Sequence, residues 1–301
     1  MRSIAQAVQQ GRILVSDGAW GTFLHQKGLQ PGECPESWNL NHRGDVLDIA
    51  RSYIEAGADC IETNSFGASR IKLAHYGLDK KAAEINEAAA LISREAAGAG
   101  GFVLGSIGPT GLFLITGEVQ EEDLVSAFRE QAEALERGGA DAACIETMSA
   151  LDEALCAVRA VRENTRLETV CTFTFEKTAD GSFKTMAGVT PGQMAEVMAA
   201  AGADVIGTNC GNGMELMVEI VREIHAAVPG IPILVHANAG KPALADGLTI
   251  FPESPADMAR ITPELLYAGA DIVGGCCGTT PEHIRAIATA VHSFPARNSR
   301  P

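Results

Sequence analysis

The stretch EAGADCIETN at residues 55–64 returns three more times in altered form: RGGADAACIET at 137–147, AAGADVIGTN at 200–209 and YAGADIVGGC at 267–276. Each copy carries the same local instruction. A helix runs into a glycine, which takes up a left-handed cap without steric cost. Ala-Asp then turns the chain, and a short run rich in Ile, Val and Cys follows, too short for a second helix. Runs of the same kind lie between the copies, at 12–18, 102–108, 168–175 and 231–239. Helical periodicity fills the rest, at 44–57, 80–97, 121–137, 149–164, 191–200, 213–227, 255–268 and 281–292. SPADMARI and TPEHI open helices with Ser or Thr before Pro, the usual N-cap and first-turn pairing. Eight strands apolar on both faces, alternating with eight helices, predict an α/β fold, a (β/α)8 TIM barrel forming a single domain over residues 1–301. A doubly wound nucleotide-binding sheet fits less well. The first strand leads to DGAWGT, not to a G-x-G-x-x-G turn, and no P-loop occurs. The longest insertions, 19–42 and 176–190, both follow strands, which assigns them to the face where such barrels carry their chemistry.

Bulk composition narrows the function classes. Of 301 residues, 46% are hydrophobic, enough for a large core. A formal net charge of -15 argues against nucleic acid and against an anionic membrane surface as partners. No apolar run approaches the ~18 residues of a membrane span. The opening MRSIAQAVQQGR lacks a signal-peptide core. The expectation is a cytoplasmic protein with reduced thiols.

Chemistry is expected where strands end. Those ends hold Asp17, then Glu62, Thr63 and Asn64, then Gly108, Glu146, Cys210, Asn238, and the vicinal pair Cys276 and Cys277 in GGCCGTTPEH. Vicinal cysteines suit a structural disulfide poorly. Small core residues, a redox pair or two ligands to one metal remain as readings. Cys210 ends strand six and the pair ends strand eight, so three thiols can converge on one point. Three thiolates form a zinc site, and three protein ligands leave a fourth position open, as in catalytic zinc. Such a site suits binding a further thiol as thiolate, which points to sulfur attack on an electrophile, alkyl transfer above all. Cys34, Cys60, Cys144, Cys156 and Cys171 fall in loops, strand interiors or helices and are read as inert.

GGCCGTTPEH together with GTNCG (207–211) resembles the zinc-dependent homocysteine S-methyltransferase family. The likeness extends through DGAWGT (17–22), AGADCIETNSFGASRIKL (56–73), IGPTG (107–111), IETM (145–148) and NAGKP (238–242). The resemblance implies that Cys210, Cys276 and Cys277 hold Zn2+ and that homocysteine sulfur completes the shell. It implies that Asp17 and Glu146 hold the substrate ammonium, and that the Gly18 and Ala19 backbone lies close to the amino acid. Asn238 joins the expected substrate-binding set. Methyl transfer to the thiol would give methionine.

IETM and IGPTG resemble the cobalamin-dependent branch of that family. The expected donor is therefore methylcobalamin. No corrinoid-binding segment or D-x-H-x-x-G sequence is present in the chain, so the donor is expected on a separate corrinoid protein, docking at loops 19–42, 64–80 and 176–190. S-methylmethionine or betaine is the alternative donor, with Trp20 and Trp38 as candidate cage residues for betaine. In a different class stands a non-catalytic zinc-containing docking module for a corrinoid protein. A Schiff-base lyase ranks lowest, since Lys177 and Lys184 lie in an insertion and not in a strand.

Overall fold

The computed structural model describes residues 2–245 and 248–295. Eight parallel strands form one sheet: β1 (Leu14–Val15), β2 (Cys60–Glu62), β3 (Phe102–Ile107), β4 (Ala142–Met148), β5 (Glu168–Phe173), β6 (Val205–Asn209), β7 (Ile233–Ala237) and β8 (Ile272–Gly275). Their order, β1–β8–β7–β6–β5–β4–β3–β2, is that of a barrel unrolled at the β1–β2 seam. After each strand comes a helix of the outer ring: α1 (Arg43–Glu55), α2 (Ala82–Ala97), α3 (Glu121–Arg137), α4 (Leu151–Asn164), α5 (Pro191–Ala200), α6 (Met214–Ala227), α7 (Pro255–Ala268) and α8 (Pro281–His292). The barrel expectation holds, with helix ends within two residues of the periodicity.

The recurring phrase does more than turn the chain. Its glycines, Gly57, Gly139, Gly202 and Gly269, all have positive φ. Its four aspartates act as staples. Asp59, Asp141, Asp204 and Asp271 each accept, through the side chain, the backbone N–H of Val15, Val103, Thr169 and Ile233 in turn, at 2.8–3.1 Å. The backbone N–H of each donates to the carbonyl of the same partner. Every even strand is thus pinned to the odd strand before it. At the β1–β2 seam, where no strand ladder forms, this staple joins a 2.9 Å bond from the Glu62 N–H to Asp17 Oδ2, and the two close the barrel.

The inner and outer cores are separate. Ile4, Ala7 and Val8 of the short helix Ile4–Gln9 plug the N-terminal end of the barrel against Leu14, Leu104, Val170, Leu234 and Ile272. A larger cluster fills the layer between strands and ring helices. Of the two insertions, 19–42 contains the helices Gly21–Lys27 and Trp38–Asn41, and 176–190 folds as an antiparallel hairpin. A second hairpin, Ala243–Ala245 with Leu248–Ile250, follows β7. No described helix is long and apolar enough to cross a membrane.

Candidate active site

Three thiols meet at the C-terminal ends of β6 and β8. The Sγ atoms of Cys210, Cys276 and Cys277 all lie within 4.8 Å of one another. Among the described residues no other group of three His, Cys, Asp or Glu side chains converges this closely. The backbone holds the thiols there. The Cys276 N–H donates to the Ala237 carbonyl at 2.7 Å, and the Cys277 carbonyl accepts from Ala239 at 3.0 Å. Cys210 has a φ of 60°, rare for a residue with a side chain, and its N–H donates to the His236 carbonyl.

The thiols share protons unequally. Bonds from the Cys276 and Cys277 side chains hold Cys210 down at about 3, with Asn238 adding to the effect. Those same bonds push Cys276 well above the ordinary thiol value and Cys277 up to about 11. A cation here would relieve the competition, since coordination deprotonates each thiol. Three soft donors with one side turned to a cavity suit zinc with an open position.

The cavity has a volume of about 380 Å³ and is lined by all three cysteines, Gly18, Ala19, Trp20, Glu62, Phe66, Ser106, Glu146 and His236, among others. Glu62 and Glu146 make part of the same lining acidic. Burial pushes Glu146 up to about 7, while the Ser106 hydroxyl, bonded to its Oε1, works the other way. Burial also pushes Asp17 up to about 7. Glu62 is raised by burial and then by the charges of Glu146 and Asp17.

A homocysteine S-methyltransferase family model matches residues 14–291. The chain belongs to the homocysteine S-methyltransferase family. It is 34% identical to the methionine synthase of Mycobacterium tuberculosis and 33% identical to that of Mycobacterium leprae, each over 297 residues and 93% of this chain. It spans about a quarter of the length of these curated relatives, 25% and 24%. The metallated form of the homocysteine methyltransferase MmuM from Escherichia coli shares the fold. Its TM-score is 0.78 at 23% identity, covering 94% of this chain and 98% of that one. A methyltransferase from Methanosarcina mazei has a TM-score of 0.61 at 12% identity, covering 93% of this chain and 94% of that one.

Within this homocysteine S-methyltransferase fold the expected site residues are distributed unevenly. Cys210, Cys276, Cys277, Gly18, Ala19 and Glu146 line one cavity. Asp17 is fully buried and does not line it. Its Oδ2 accepts from the Trp20 indole at 2.8 Å and the Glu62 N–H at 2.9 Å. Asn238 is buried beside Cys210, and its Oδ1 has no hydrogen-bond partner. Trp20 lines the cavity, whereas Trp38 is stacked on His42 at 4.2 Å and does not. The remaining five cysteines are buried, each with its thiol raised by desolvation.

Two site residues escaped the sequence reading. Asn209 is fully buried and donates to Glu146 Oε2 at 3.3 Å and to Thr147 Oγ1 at 2.7 Å. Its Oδ1 accepts from the Thr147 N–H at 2.9 Å and the Thr172 hydroxyl at 2.8 Å. His236 occupies β7 and faces the cavity. Both looked like ordinary strand residues. The available signal was a polar side chain inside an apolar strand.

Proposed function

We propose that this protein methylates the thiol of homocysteine, giving methionine, with Zn2+ held by Cys210, Cys276 and Cys277. The observation that carries the reading is the three-thiol cluster and two glutamates, Glu62 and Glu146, lining one cavity. When bound, zinc supplies a centre that keeps a fourth thiol as thiolate near neutral pH. The chain's own residues do the remaining work. Glu146, with Asp17 behind it, supplies negative charge for the substrate ammonium, which requires opposite charge in a desolvated cleft. The Gly18–Ala19 turn lines the cavity, which would bring its backbone close to the amino acid. The Ala19 N–H itself donates to Thr279 Oγ1 at 3.1 Å, which fixes the turn. Asn238 donates toward Cys210 and steadies it as a thiolate. Thr279, bonded at 2.7 Å to the Cys276 carbonyl, keeps the vicinal turn in place. Positioning and charge, not a general base, are what the barrel contributes.

For the donor, we propose methylcobalamin carried by a separate corrinoid protein. The resemblance of IETM and IGPTG to the cobalamin-dependent branch supports this, as does the mouth of the barrel. Phe66, Phe113, Ile115, Met186, Leu244 and Ile250 are exposed apolar side chains on the loops after β2, β3, β5 and β7. The purified protein should contain one zinc per chain. Cys277→Ala should lose metal and turnover together while keeping its fold. Full zinc and turnover in that variant would refute the ligand set. Turnover with homocysteine should be much faster on a methylated corrinoid protein than on free methylcobalamin. A faster rate on betaine or S-methylmethionine, with none on the corrinoid protein, would overturn the donor.

A further inference from the structure

Two buried side chains facing the cavity have polar atoms with no protein partner. Glu62 is 7% exposed and lines the cavity, and its Oε1 accepts no hydrogen bond. His236 is 1% exposed and lines the same cavity, and its Nε2 is likewise unpartnered. The two approach each other, with His236 Nδ1 3.5 Å from Glu62 Oε1. A buried acceptor left without a donor is costly, and native proteins seldom tolerate one unless something else supplies the donor.

The surroundings select the chemistry of that donor. Glu62 feels the charges of Glu146 and Asp17, and both glutamates line the one cavity. Three carboxyl groups lie close together, and among the described residues no Lys or Arg lines the cavity. Such a wall attracts a small cation with several N–H donors. Asp17 is poorly placed to touch it, because its Oδ2 is taken by Trp20 and the Glu62 N–H, and Ser16 Oγ approaches its Oδ1 at 3.3 Å. Glu62 has a free oxygen and Asp17 does not line the cavity.

We propose that Glu62, steered by His236, contacts the substrate ammonium directly alongside Glu146, and that Asp17 acts from behind as a positioning residue. This rests on the homocysteine reading above and gives Glu62, one of the strand-end residues, a role that the family match does not assign. With its proton on Nδ1, His236 points a donor at Glu62 Oε1 from 3.5 Å, too far to satisfy it, and leaves Nε2 as an acceptor without a partner. The neighbouring strand makes room for the ring. A Cβ on Gly274 would meet His236 Cδ2 at 3.0 Å and the Asp17 carbonyl at 2.7 Å. The first glycine of GGCC therefore serves the acidic wall, while the cysteines serve the metal.

The test is calorimetric binding to zinc-loaded protein, using homocysteine and 4-mercaptobutanoate, which has the same thiol and carboxylate but no ammonium. Glu62→Gln should weaken homocysteine by about tenfold or more, the scale of one charge-assisted hydrogen bond, and leave 4-mercaptobutanoate and zinc content unchanged. His236→Ala should show a smaller loss of the same kind. His236→Asn, which restores a donor near the Nδ1 position, should recover most of it. Unchanged homocysteine affinity in Glu62→Gln, or equal losses for both thiols, overturns the proposal. If the wild-type protein binds 4-mercaptobutanoate but shows no preference for homocysteine, the ammonium wall falls while the thiol reading stands. If it binds neither thiol, both fall.

Discussion

Asn209 links the two halves of the site. On one side it holds Glu146 and Thr147, and on the other its peptide leads into Cys210. Both Thr147 and Cys210 have positive φ, 61° and 60°. For a β-branched threonine this conformation is costly, and it persists only where surrounding bonds over-determine it. The four contacts of the Asn209 side chain do that. Asn209→Ala should therefore cost about 1–3 kcal/mol for each buried group left unpaired, and homocysteine affinity should drop with it. A denaturant midpoint equal to wild type would contradict this role. Glu146 makes a separate prediction in metal-free protein. Its carboxyl is raised from 4.5 to about 7, so the folded state holds a proton that the unfolded state has released between those values. Stability from this group falls as pH rises through that window. Gln cannot ionise, so the Tm of Glu146→Gln minus that of wild type should grow from about pH 4.5 to 7 and then level off. A difference independent of pH would show that Glu146 is not raised.

At the scale of the element, four aspartates at the start of the even strands decide how strands are paired. Each satisfies a strand-opening N–H that no ladder partner reaches. Asp204 shows the effect alone, without the arginine that also bonds Asp59 or Asp141. Asp204→Ala would leave the Thr169 N–H without its acceptor. The expected loss is about 1–3 kcal/mol by chemical denaturation. Zinc content should not change, because β6 begins here and the thiols stand at its other end. Asp204→Asn keeps an acceptor oxygen and should recover much of the stability. An alanine variant as stable as wild type would make the staple redundant.

The whole molecule divides its labour between two ends. The N-terminal end is closed by the helix Ile4–Gln9 and an apolar plug. The C-terminal end carries the cavity and a rim with exposed apolar residues, Ile115 at 92% and Met186 at 81% exposure. Single exposed apolar residues need no explanation, but several around one mouth suit a partner that docks and leaves. Under the corrinoid reading, Ile115→Ser with Met186→Ser should raise KM for the methylated corrinoid protein several-fold. Homocysteine affinity and Tm should stay close to wild type, since these side chains support no core. Equal KM in the double variant would remove the rim from the docking surface.

The four G-A-D copies, the four apolar runs between them and the helical periodicity were together enough to specify strand number and helix positions. These follow from local rules of capping and hydrophobic period, which act within a few residues. The thiol triad was legible too, because strand ends in a barrel share one face, so that Cys210, Cys276 and Cys277 could be brought together on paper. The acidic wall was legible only in part. Asp17, Glu62 and Glu146 all lie near strand ends, yet which of them keeps an oxygen without a hydrogen bond depends on Trp20, Ser16 and His236, contributed by the segment after β1 and by β7. Asn209 and the staple role of the aspartates were likewise invisible, since their partners are dozens of residues away or on another strand. Side-chain contacts across strands depend on register and rotamer. Only the closed barrel sets both.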